Sequence, residues 1–60
     1  MTAAETIRRI LSVQYANADD EFGDKHLSDP VLALEAIDAA LIGDDDNPVL
    51  RMFLAAAPDA

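Results

Sequence analysis

Three stretches of the chain place apolar side chains at helical spacing, and each opens on a start signal. In the first, Ile7, Leu11 and Ala18 fall along one face with Gln14 between them, Ile10 and Tyr15 widen that face, and Arg8 and Arg9 begin the polar side. Thr2 and Glu5 fit a capping box, in which the hydroxyl accepts from the backbone N–H of position 5 and the carboxylate reaches back. This helix is predicted near 3–17.

The second stretch begins at Ser28-Asp29-Pro30, with Asp29 as N-cap and Pro30 at the first helical position, where a missing N–H costs nothing. Gly43 is the matching stop. Ala33, Leu34, Ile37, Ala40 and Leu41 gather on one side, and Glu35 and Asp38 mark a narrow acidic strip on the other. Val31 and Ile42 project within the span of that strip at the helix ends, and Leu32, Ala36 and Ala39 lie beyond it. Almost the whole circumference is therefore apolar, so the helix is expected to be central in the fold or to touch another chain.

The third stretch repeats the start signal, Asn47-Pro48-Val49-Leu50 after Asp29-Pro30-Val31-Leu32. Val49, Met52, Phe53 and Ala56 form its inner stripe, Leu50, Leu54 and Ala57 lie beside them, and Pro58 is the expected stop. No run alternates apolar and polar residues for long, which leaves little support for strands. The reading is all-α: a compact three-helix domain spanning 1–60, with helices near 3–17, 30–42 and 48–57 joined by acidic inter-helix loops. Its expected core contains Ile7, Leu11, Leu34, Ile37, Leu41, Val49, Met52 and Phe53. Residues 17–28 read as a loop with room for one helical turn, pinned by Phe22 and Leu27.

Composition changes this picture in two ways. Sixty residues accommodate one small domain, and since 12 of the apolar positions are alanine the core must be thin. Chains of this size without disulfides or metals often gain stability by oligomerising or binding a partner, and there is no cysteine here. A symmetric homodimer through the second helix is the simplest such expectation. The absence of cysteine fits a reducing compartment. No basic region leads into an uninterrupted apolar run, and the run Met52 to Ala57 is too short to span a bilayer, so the chain reads as cytoplasmic.

Charge is the second change: 12 acids against 4 Lys and Arg give −8. Residues 19–60 hold eleven of the acids against Lys25 and Arg51 alone. Direct binding to nucleic acid or to an anionic membrane is disfavoured.

Candidate chemistry is sparse. His26 is the only histidine, and no serine, cysteine or second histidine stands ready to complete a constellation with it. It reads as an exposed or loop-bracing side chain, and neither an active site nor a cofactor is expected. Asp44, Asp45 and Asp46 lack the alternating ligands and the glutamate of a calcium loop, and Asp19, Glu21 and Gly23 fail likewise, because the twelfth position from Asp19 is Pro30. No metal site is expected.

Two carboxylate clusters remain, Asp19, Asp20, Glu21 and Asp24 in the first connection and Asp44, Asp45 and Asp46 in the second. Acids just before a helix start interact favourably with its dipole, which accounts for Asp46 and less well for three in a row. A solvated linker accounts for the first cluster. The sharper expectation is a negative surface for a basic partner, since duplex DNA presents one charge per ~1.7 Å of axis and carboxylates at comparable density stand in for phosphates. With these clusters, no cysteine, high helix content and a small acidic chain, the protein resembles small phage-encoded inhibitors, the anti-CRISPR proteins and anti-restriction DNA mimics. The resemblance is one of type and rests on no signature motif. It implies direct binding to a CRISPR effector or another nucleic-acid enzyme in the host cytoplasm, often blocking access to DNA. The partner-binding residues expected from charge are Asp19, Asp20, Glu21 and Asp24, supported by Asp44, Asp45 and Asp46. Two other functions stay open: a helical assembly module or small subunit binding through the second and third helices, and an antitoxin-like neutraliser of a basic protein.

Overall fold

Each helix starts where a short polar side chain takes over an otherwise unsatisfied backbone N–H. Four helices do so in the computed structural model, which describes residues 2–57: α1 (Ala3–Asp19), α2 (Lys25–Ser28), α3 (Pro30–Ile42) and α4 (Pro48–Ala56). Thr2 accepts from the Glu5 N–H at 3.2 Å, Asp24 from His26 at 2.8 Å and Asp29 from Val31 at 2.9 Å. Asn47 accepts from both Val49 and Leu50, at 2.9 and 3.1 Å. No strand occurs among the described residues, and the protein is mostly helical.

The three long helices lie where the sequence predicts them, with α1 running two residues further and α4 ending at Ala56. The expected stop at Pro58 lies outside the described residues. The stretch read as a loop carries a fourth short helix, α2, so the three-helix description omits one element. Gly43 ends α3 in the left-handed conformation, φ 78°, and the Asp44 N–H donates to the Ala39 carbonyl at 2.9 Å, closing the helix with a glycine cap.

α3 lies against both α1 and α4, and α1 against α4. The core between them consists of Ile10 and Val13 from α1, Leu27 from α2, Ala33, Ala36 and Ala39 from α3, and Leu50 and Phe53 from α4. Phe53, Ile10 and Leu50 are its largest fully buried side chains. The molecule measures 32 × 24 × 15 Å, so the core is one layer of side chains thick.

This core corrects the expected one. Of the eight expected residues only Phe53 is fully buried. Ile7, Ile37, Val49 and Met52 are half-buried, and Leu11, Leu34 and Leu41 are exposed, at 46, 61 and 61%. For α3 the cause is its two acids. Asp38 is four residues from Leu34 and three from Leu41, so all three share one face. Turning those leucines inward would pull the Asp38 carboxylate out of water, at a cost larger than the leucines return. The opposite face, of alanines, turns inward instead and lets α1 and α4 approach closely.

For α1 the cause is two amides. Gln14 and Asn17 face the interior edge beside Ile10 and Val13, where they hold the α2 segment. The Gln14 side-chain N–H donates to the Ser28 carbonyl at 3.0 Å, and Asn17 accepts from the Asp24 N–H at 2.9 Å while donating to the Val13 carbonyl at 2.8 Å. Gly23 runs so close to Asn17 that an added Cβ would overlap the Asn17 carbonyl oxygen and sit 2.8 Å from its Cα. Leu27 pins the connection as expected, whereas Phe22 does not and is 87% exposed.

Candidate interaction surface

The first acidic cluster forms the corner between α1 and α2. Asp19 is the last residue of α1, and Asp20 follows it in extended conformation, its carboxylate accepting from the Phe22 N–H at 3.0 Å. Asp24 caps α2. One oxygen of each of these two carboxylates is thus engaged with local backbone, and the side chains of all four acids remain at the surface with Phe22 among them.

The second cluster follows the glycine cap of α3. Asp44, Asp45 and Asp46 are all exposed, and the turn is closed by the Asn47 N–H donating to the Asp44 carbonyl at 3.2 Å. Asp46 and Arg51 approach to 3.8 Å with side chains 98 and 68% exposed, a geometry that contributes little to stability.

Each cluster is brought together by adjacency along the chain. The first precedes α2 and the second follows α3, which lies between them in the sequence. The outward face of α3 carries two more carboxylates, Glu35 and Asp38, both exposed.

The same outward face carries Leu34 and Leu41, which the expected core had placed inside, beside Val31 and Ile42, which the sequence had already set on the acidic strip. Val31 is 70% exposed and Ile42 80%, and Leu34 and Leu41 join them on a strip along three turns of α3. The exposure of Leu34 and Leu41 was missed because the largest side chains were assigned to the core, although Leu34-Asp38, four apart, and Asp38-Leu41, three apart, put each leucine beside an acid on one face. Tyr15, 71% exposed, adds an aromatic side chain on α1.

His26 is exposed. Among the described residues no group of three or more His, Asp or Glu side chains is placed to hold a metal ion, and no concave pocket opens on the surface. No helix among them is long and apolar enough to cross a membrane. The arrangement offers convex carboxylate and aliphatic surface. No family model matches this chain, and no curated protein and no solved structure matches it.

Proposed function

We propose that the protein is an acidic binding protein of the cytoplasm that inhibits a nucleic-acid-binding complex, a CRISPR effector being the leading instance, by covering its basic DNA- or RNA-binding surface. The observation that supports this reading is the exposure of the carboxylates: Asp19, Asp20, Glu21 and Asp24 before α2, Asp44, Asp45 and Asp46 after α3, and Glu35 and Asp38 on α3 itself all face solvent. Lys and Arg that line a phosphate-binding groove meet these acids as counter-charges, and long-range attraction speeds their encounter. The chemistry is occupancy of a basic groove, with no bond made or broken.

The test is displacement of labelled target DNA from a panel of guide-loaded CRISPR effectors by the purified chain. For at least one effector the chain competes with DNA, and the competition weakens steeply as salt rises and the Debye length falls from ~10 Å at 0.1 M to ~3 Å at 1 M. Changing Asp19, Asp20 and Asp24 to Asn and Glu21 to Gln raises the concentration required and flattens the salt dependence. Asn retains the acceptor oxygen used at positions 20 and 24, so these changes remove charge and leave the local hydrogen bonds available. Equal competition by this variant and by one with Asp44, Asp45 and Asp46 changed to Asn rules out the mimicry mechanism.

A second reading, a module that docks on a partner through helix faces, is favoured by a separate observation. Val31, Leu34, Leu41 and Ile42 are left in water on a molecule in which eight hydrophobic residues are buried among the described ones. A chain this small has little reason to leave its aliphatic side chains outside unless they meet something.

A further inference from the structure

From the outward face of α3 we infer that its occupant is a cationic amphipathic helix of a foreign protein, laid along three turns with Lys or Arg opposite Glu35 and Asp38 and apolar side chains opposite the two ends. This rests on the second reading above, that the face is a contact surface, and adds what the contact is with.

The face has an internal order. Val31 and Leu34 lie toward its start and Leu41 and Ile42 in its last turn, while Glu35 and Asp38 occupy the middle, and all six side chains are exposed. From Val31 to Ile42 is ~17 Å of helix at ~1.5 Å per residue, the reach of three turns of a partner helix anchored at positions three, four and seven apart. The aliphatic ends favour a partner side that is apolar, and the acidic centre requires that its middle be cationic.

A second copy of the chain fits poorly for the same reason. An antiparallel pairing that brings all four aliphatic residues into contact has its twofold axis midway along the strip, which sets Glu35 of one copy against Asp38 of the other, twice. A parallel pairing sets Glu35 against Glu35 and Asp38 against Asp38. Either arrangement buries like charges at the centre of the contact, between chains that each carry −8. A cationic helix meets the same carboxylates as counter-charges and can extend past Ile42 toward Asp44, Asp45 and Asp46.

The experiment uses the full chain and three synthetic peptides of about 18 residues. One has leucines at helical spacing with lysines in register with Glu35 and Asp38. The second replaces those lysines by glutamates. The third has the first one's composition with its spacing scrambled. Binding is followed by amide chemical shifts of the isotopically labelled chain at 0.15 M salt, and the chain alone is examined by sedimentation equilibrium.

The expected result is saturable binding of the first peptide, with shifts concentrated at residues 31–42, and affinities for the second and third peptides at least tenfold weaker. Glu35→Lys combined with Asp38→Lys, at two exposed positions, inverts the preference between the first and second peptides. Equal binding of the lysine and glutamate peptides at residues 31–42 overturns the cationic occupant and leaves the contact surface standing. Shifts confined to the two acidic clusters, or no binding by any peptide to a monomeric chain, overturn the contact surface itself. Sedimentation as a dimer that Leu34→Ser and Leu41→Ser dissolve overturns the foreign partner in favour of a second copy.

Discussion

Ile10 and Leu11 are neighbours in α1 with side chains of equal carbon number, yet they face opposite environments: Ile10 is fully buried and Leu11 is 46% exposed. Truncating each to alanine removes the same three carbons from the same helix. At Ile10 the change takes away burial and leaves a void in the core, for which the usual cost is ~2–5 kcal/mol. At Leu11 about half of the ~1.5–3 kcal/mol available from complete burial is at stake, roughly 1 kcal/mol, and no closed cavity forms. A chain of this length has about 3–9 kcal/mol in total, so Ile10→Ala removes a large share of it and Leu11→Ala does not. Urea unfolding followed by circular dichroism at the helix band measures both. With an m-value of ~1 kcal/mol per molar urea, the midpoints should differ by ~1 M or more. An Ile10→Ala chain with no transition at all, beside a Leu11→Ala chain that still unfolds cooperatively, shows the same ordering in its extreme form. A Leu11→Ala midpoint as low as that of the Ile10 variant would mean that α1 is rotated from the orientation described, and the packing argument would fail.

Two further changes test local features. Gly23→Ala should destabilise the α1–α2 corner, because the new Cβ meets the Asn17 backbone and the chain must shift to admit it; faster amide exchange at Asp24, whose N–H is held by Asn17, reports the loss, and unchanged exchange contradicts the close approach. Asn47→Ala removes the acceptor for two N–H groups of α4 and should cost ~0.5–2 kcal/mol, whereas Asp46→Asn, at a side chain 98% exposed, should lower the melting curve by much less, through its charge's interaction with the α4 dipole alone.

The helix positions were legible because their signals are local. Thr2, Asp29, Asn47 and Gly43 each act through the backbone within a few residues, and proline after a cap fixes the start of α3 and of α4. The facing of the helices was not legible from apolar periodicity alone. A leucine and an alanine both score as apolar, so a helix with nearly all of its circumference apolar offers no preferred inward direction until the desolvation of Glu35 and Asp38 is weighed against the size of Leu34 and Leu41. In α1, Gln14 reads as an interruption of an apolar stripe, and its bond to the Ser28 carbonyl joins groups fourteen residues apart that no local pattern connects. The acidic clusters were legible as sequence, and their exposure follows from their charge.

The division of α3 into two faces bears on how this chain tolerates change. Ala33, Ala36 and Ala39 set the spacing to α1 and α4, and since alanine loses no side-chain rotamers on burial, that face specifies the fold at little entropic cost. It also has no slack, because any larger side chain there must push two helices apart. Val31, Leu34, Glu35, Asp38, Leu41 and Ile42 project away from that packing, and substitutions among them are energetically separate from it. The outward face can therefore be rewritten residue by residue, in aliphatic size or in sign of charge, while the alanine face keeps the same scaffold beneath it. A single helix so divided makes recognition a variable mounted on a constant.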